Sequence, residues 1–151
     1  MKRLLILSGK GGTGKTTTAA AFIHFSQTRA MADCDVDAPN LHLVAAPPVS
    51  PEIAEFLGGE KAVVDPDKCV GCGICASHCR FNALEKEEGR YRVNEYACEG
   101  CGVCAYVCPQ KAVYLAEDVA GRKELYLGER IFSTAVLKMG RGNSGKLVTD
   151  V

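Results

Sequence analysis

The sequence predicts an α/β chain of two modules, one interrupting the other, and three observations carry that prediction. An apolar run, KRLLIL at residues 2–7, leads through a glycine-rich loop into a helix-like stretch, TTTAAAFIHFSQ. Nine cysteines occur, eight of them in two similar blocks near the middle of the chain. Beyond those blocks, ELYLGERIFSTAVLKMG alternates apolar and polar residues as strands do.

The bulk figures bound the function. A length of 151 residues suits one ordinary domain or two small ones. Apolar residues make up 47% and charged residues 24%, as in a globular protein. Basic and acidic residues number 18 each, so no charge excess points to nucleic acid or an anionic membrane. No apolar run is long enough for a membrane span. The start MKRLLILSGKGG is basic, but its apolar stretch is too short for a secretory leader. The expected location is therefore the cytoplasm, where thiols stay reduced, and the cysteines read as metal ligands rather than disulfides.

Their spacing specifies the metal. CVGCGICASHCRFNAL, Cys69–Leu84, aligns with CEGCGVCAYVCPQKAV, Cys98–Val113, at an offset of 29 residues. Eight of the 16 positions are identical, which points to internal duplication. Each block reads C-x2-C-x2-C-x3-C, the bacterial ferredoxin spacing, in which the fourth cysteine serves the other cluster. This assigns Cys69, Cys72, Cys75 and Cys108 to one [4Fe–4S] cluster, and Cys98, Cys101, Cys104 and Cys79 to a second. Gly71, Gly73, Gly100 and Gly102 are expected at positive φ, where the chain wraps each cube. A pair of zinc sites is the competing reading, but zinc knuckles do not place four cysteines within eleven residues twice over. Arg80 stands where the second block has Pro109; no ligand is lost. His78 reads as a surface residue, and Cys34, between two aspartates, is left unassigned.

At the N-terminal end, Gly9 to Thr16 satisfies the phosphate-loop pattern G-x4-G-K-[ST], between an expected buried strand at 2–7 and a helix starting near Lys15. Gly9, Gly11, Gly12, Thr13 and Gly14 would wrap a phosphate with backbone N–H groups at the helix N-terminus, followed by Thr17. Lys15 would neutralise the β- and γ-oxygens and the Thr16 hydroxyl would bind Mg²⁺. The loop resembles the deviant Walker A ATPases of the MinD/ParA/Mrp and nitrogenase iron-protein group, whose signature is KGGTGKT. The resemblance implies ATP as ligand and a homodimer in which Lys10 reaches the partner's nucleotide. By the same resemblance, ADCDVDAPNLHL follows the second strand of the fold, with Asp33 near the Mg²⁺ shell and Asp35 orienting the attacking water. Asp37 has no counterpart there. Lys10, Lys15 and Asp35 form the implied catalytic set.

The remaining segments place the modules. AAPPVSP, residues 45–51, breaks regular structure, and SPEIAEFLGG reads as a short Ser-capped helix closed by glycine. The expected architecture is a partial parallel-sheet P-loop NTPase domain, residues 1–58 and 116–151. An α+β two-cluster ferredoxin-like domain is inserted at 59–115. In this it resembles a MinD-like ATPase subfamily carrying such an insertion. GRGNSGKL reads as a glycine-rich turn entering a helix, not a second phosphate loop, because Leu147 replaces the Ser/Thr. Relatives of this type continue past position 151 with the Walker B aspartate, switch region and adenine-binding segment, so the chain reads as C-terminally truncated.

The leading function on these grounds is an iron–sulfur ATPase coupling ATP binding and hydrolysis to electron transfer through two clusters. ATPase activity rests on resemblance alone. The alternatives are a non-enzymatic ferredoxin-type carrier on an incomplete nucleotide-binding scaffold, or an iron–sulfur assembly and transfer protein. All three imply a protein partner, a redox one for the carrier, whose identity the sequence does not specify.

Overall fold

The computed structural model describes residues 3–151 and divides into two compact units. The first comprises Met1–Phe56, Gly121–Met139 and Asn143–Val151; the second comprises Leu57–Ala120 and Gly140–Gly142. In order, the elements are α1 (Lys15–Ser26), β1 (Ala30–Asp33), α2 (His42–Ala45), β2 (Glu52–Val64), α3 (Ile74–Ser77) and β3 (Leu84–Glu87). They continue with β4 (Arg90–Val93), α4 (Val103–Val107), β5 (Val113–Leu127), β6 (Ile131–Leu137) and α5 (Ser144–Asp150). One sheet has the order β1-β6-β5-β2 and a second pairs β3 with β4.

In the first unit, β1 runs parallel to β6, with Ala30 beside Ile131 and Asp33 beside Thr134. The neighbouring β5 is antiparallel to β6, with Gly121 opposite Leu137 and Leu127 opposite Ile131. Parallel pairing, expected throughout the nucleotide module, is thus confined among these pairs to β1 with β6. Phe132 and Leu147 are fully buried, and Val36, Leu41, Phe56, Ala135 and Leu137 of this unit are buried as well. The Val36 carbonyl accepts the Leu137 N–H at 2.8 Å, tying the loop after β1 to the end of β6. Helix α1 begins at Lys15, after Gly14 at φ 80, and buries none of its residues.

Two local expectations fail here for physical reasons. The apolar run at 2–7 is not a buried strand: residues 3–8 have no regular structure, and Leu4, Leu5 and Leu7 are 65%, 75% and 78% exposed. Lys2 of that run lies outside the described residues. An apolar run becomes a strand only where a sheet offers an edge and a second layer covers it. SPEIAEFLGG is not a helix: from Glu52 on it is the first part of β2, a 13-residue strand. Phe56 and Leu57–Gly58 follow a strand's alternation, with Phe56 and Gly58 buried and their neighbours exposed. A helix this short is marginal on its own, so pairing with β5 decides the segment.

The second unit is a duplicated β-loop-α-β arrangement. Strands β3 and β4 form a hairpin in antiparallel register, Leu84 opposite Val93 and Glu87 opposite Arg90. Its two-residue turn, Glu88 and Gly89, has φ 49 and 81, both positive, the pattern whose twist matches a hairpin. The core consists of Ala62, Ala83, Leu84 and Val113 together with the thiols of Cys75, Cys98 and Cys104, flanked by Tyr91, Val93 and Leu115. So small an apolar core leaves the cysteine loops as its main content.

Candidate metal centre

The structure gathers the eight repeat cysteines into two sets. Cys69, Cys72, Cys75 and Cys108 line one cavity, walled by Val64, Val70, Tyr91 and Val113. Cys79, Cys98, Cys101 and Cys104 line another, walled by Phe81, Leu84, Val93 and Val103. Each set takes three thiols from one block and the last thiol of the other. Among the described residues, no three His, Cys, Asp or Glu side chains converge as one metal ion requires. The thiols stand around a cavity rather than around a point.

The two loops are built by the same backbone contacts, related by the duplication. The Asp65 N–H meets the Ala112 carbonyl at 2.7 Å, and the Asn94 N–H meets the Ala83 carbonyl at 2.7 Å. The Cys69 N–H is held by the Asp65 carbonyl at 3.1 Å, and the Cys98 N–H by the Asn94 carbonyl at 3.0 Å. Asp65 and Asn94 each also fold a turn with their side chains, accepting from the N–H of Asp67 at 3.0 Å and of Tyr96 at 3.1 Å. The Ala83 N–H then points at Cys79 Sγ at 3.4 Å, and the Ala112 N–H at Cys108 Sγ at 3.3 Å. Gly100 adds an N–H to Cys98 Sγ at 3.5 Å. Donors aimed at sulfur stabilise thiolate ligands and raise the reduction potential of the group they hold.

Gly71, Gly73, Gly100 and Gly102 have φ 69, 82, 66 and 77. Gly73 and Gly102 cap α3 and α4, whose first turns carry the buried Cys75 and Cys104 inward. Desolvation pushes the Cys75 thiol up; the Ala76 N–H opposes this, and Cys108, Cys69 and Cys72 add to the rise. Desolvation likewise pushes Cys104 up, opposed by the Ala105 N–H and reinforced by Cys98 and Cys101. Four crowded thiols become thiolates together only if a cationic centre compensates them. Apolar walls, sulfur-directed N–H groups and a tetrad of thiols about one cavity fit a [4Fe–4S] cube in each place.

Residues 62–115 match the family of the 4Fe-4S dicluster domain. They form a two-cluster iron–sulfur domain. An uncharacterized protein of Methanocaldococcus jannaschii is 34% identical over 95 residues, 61% of this chain and 32% of that protein. A ferredoxin of Pyrobaculum islandicum is 37% identical over 67 residues, 44% of this chain and 63% of its own length. The matches thus span about a third and under two thirds of those relatives. The dicluster domain is ferredoxin-like, and no helix among the described residues is long and apolar enough to cross a membrane.

Two side chains that spacing did not single out sit against the dicluster domain's loops. Lys61 of β2 donates from Nζ to the Cys98 carbonyl. Arg141, in the short Gly140–Gly142 segment, donates to the Glu95 carboxylate at 2.6 Å and to the Glu95 carbonyl at 2.9 Å. Its Nε forms an ion pair with Asp118 at 2.9 Å without a hydrogen-bond angle, and the guanidinium lies over the Tyr96 ring. Extending the repeat upstream pairs Lys61 with Arg90, which is the signal for the first; nothing local marks Arg141. His78 is exposed, its Nδ1 donating to the Ile74 carbonyl at 2.9 Å.

In the first unit, the glycine-rich loop reaches α1 with Gly12 and Gly14 at φ 74 and 80, and no atom crowds Gly9, Gly11, Gly12 or Gly14. Lys15 Nζ pairs with Asp35 Oδ2 at 2.9 Å, which holds the lysine above its usual range. The Thr16 hydroxyl donates to Asn40 Oδ1 at 2.6 Å. Asp33 is buried and accepts three backbone N–H groups, from Asp35 at 3.1 Å, Asn40 at 3.1 Å and Leu41 at 2.9 Å. Its carboxylate organises the loop after β1. The Lys10 carbonyl accepts from Ser8 at 3.1 Å and Thr13 at 3.3 Å, while Lys10 and Thr17 are exposed. Partial desolvation and then Asp33 push the Cys34 thiol up, unlike an activated nucleophile.

Proposed function

We propose that the chain is a ferredoxin-type electron carrier using two [4Fe–4S] clusters. One is held by Cys69, Cys72, Cys75 and Cys108, the other by Cys79, Cys98, Cys101 and Cys104. The observation that carries this is the pair of thiol-lined cavities, each completed by a cysteine from the opposite block. When bound, each cluster supplies a one-electron couple. The chain's own residues do the rest: Val64, Val113, Leu84 and Val93 keep water from the cavities, and the N–H groups of Ala83, Ala112 and Gly100 stabilise charge on sulfur. Exchanged ligands lock the two halves together, so each cluster holds both. Anaerobic reconstitution with iron and sulfide tests the reading. A reversible, dithionite-bleachable chromophore supports it, and transfer of the clusters to an apo-acceptor would instead favour cluster delivery.

A second reading concerns the N-terminal loop, as a site for MgATP coupled to electron transfer in a cytoplasmic homodimer. What favours it is that Lys15 and Thr16, adjacent at the start of α1, are both engaged by the loop after β1, through Asp35 and Asn40. A phosphate would compete with Asp35 for Lys15, Mg²⁺ would take the Thr16 hydroxyl, and Lys10 of one copy would complete the site of the other. Calorimetry of MgATP against the reconstituted chain, beside Lys15→Ala, tests it.

A further inference from the structure

We infer that Lys61 makes the cluster on Cys79, Cys98, Cys101 and Cys104 the higher-potential one of the pair, so that the first electron rests there. The inference builds on the two-cluster reading. The duplication matches most backbone contacts of the two tetrads; the exception among the sulfur-directed donors is the Gly100 N–H on Cys98 Sγ, which favours the same cluster as Lys61 and is left unchanged by every Lys61 variant. The sulfur-directed donors of Ala83 and Ala112 differ by only 0.1 Å. A difference in potential therefore has to come from what the duplication did not preserve.

Lys61 is the conspicuous asymmetry. It is half-buried, and its ammonium donates to the main-chain carbonyl of Cys98, a ligand. At the related position Arg90 is exposed, and among the described residues no hydrogen bond joins its side chain to Cys69. The other nearby charges do not cancel this. Lys68, before Cys69, is paired with Asp65 at 2.8 Å and has Asp67 beside it, so that loop carries no net positive charge. Glu99, after Cys98, is exposed, and solvent and salt screen it more than a half-buried ammonium held on the ligand's own backbone.

A fixed positive charge beside one cluster stabilises its reduced form, which carries one more negative charge. After a one-electron donor such as dithionite reduces the chain once, the electron moves from the Cys69 tetrad's cluster to the Cys98 tetrad's. The first is reoxidised as the second is reduced, and no proton or third reactant enters.

The test is a potentiometric titration of the full chain, reconstituted anaerobically and followed by electron paramagnetic resonance. Shifted cysteine β-proton resonances assign each wave to its tetrad. Iron and sulfide contents of about eight each come first; a lower content refutes the two-cluster reading itself, whatever Lys61 does. Wild type should show the higher wave on the Cys98 tetrad. Lys61→Met should shift the first electron about tenfold towards the other cluster, which for one electron is 59 mV. Lys61→Arg should restore the gap and Arg90→Met should leave it intact. If Lys61→Met fails to hold its clusters, Lys61→Gln keeps an amide donor and reads the charge alone. Waves that stay in place, or that move together, overturn the inference.

Discussion

A Cβ on Gly71 would overlap the carbonyl oxygen of Gly89 in the hairpin turn, and the duplication repeats the relationship where Gly100 meets the carbonyl of Glu60. Both glycines also lie at positive φ, 69 and 66. Each ligand loop is therefore pressed onto the backbone of the opposite half, with no room for any side chain.

Gly71→Ala should cost the cluster on Cys69, Cys72, Cys75 and Cys108 and spare its neighbour, with Gly100→Ala doing the reverse. Strain of about 1–3 kcal/mol adds to a collision with backbone that has no flexible end to yield. Iron content should fall by about four per chain in each variant. Retention of all the iron would show that the loops are looser than this packing.

The exchange of fourth ligands makes a sharper distinction. Cys108→Ala should remove or convert the cluster whose other ligands lie in the first block, and Cys79→Ala the one centred on the second. Electron paramagnetic resonance of the reduced variants, with assigned cysteine proton shifts, checks which signal survives. If each substitution damages its own block's cluster, the tetrads are not exchanged.

Arg141 is buried at 6% side-chain exposure between Asp118 and Glu95, beside the loop that leads to Cys98. Arg141→Ala leaves Asp118, itself at 15% exposure, without its cation. The expected loss is about 1–3 kcal/mol, below that of a wholly buried pair because Glu95 is 60% exposed. Thermal bleaching of cluster absorbance should shift down by about 2–4 °C for each kcal/mol. Arg141→Lys should recover only part, lacking the fork that reaches both carboxylates.

For the N-terminal loop, Lys15→Ala should abolish MgATP binding if wild type binds it, because on the nucleotide reading the ammonium now held by Asp35 would be the loop's phosphate partner. Asp35→Asn should tighten binding, since it frees Lys15 without removing a loop ligand. Isothermal calorimetry on both variants decides; unchanged binding in Lys15→Ala would place the nucleotide elsewhere.

What the sequence disclosed was whatever its local chemistry fixes. Cysteine spacing, the glycines at positive φ, the start of α1 at Lys15 and the turn into α5 all depend on neighbours a few residues away. SPEIAEFLGG misled because a serine and a closing glycine suit a helix end, yet pairing across the sheet made it β2. KRLLIL misled because hydrophobicity alone does not supply a strand partner. Lys61 and Arg141 reach ligand loops 37 and 46 residues away in the chain, and no periodicity encodes such contacts. Asp33 also accepts three backbone N–H groups that order the loop after β1, a use that only the folded loop reveals.

Metal stoichiometry decides whether residues 62–115 hold two [4Fe–4S] clusters through exchanged cysteine tetrads. Iron, zinc and acid-labile sulfide should be measured on the anaerobically purified chain, with electron paramagnetic resonance after dithionite reduction. About eight iron and eight sulfide per chain are expected, with no stoichiometric zinc and a reduced-state signal from two interacting clusters. Zinc at about two per chain without sulfide or colour would contradict the two-cluster reading, and the cysteine loops would then be zinc knuckles.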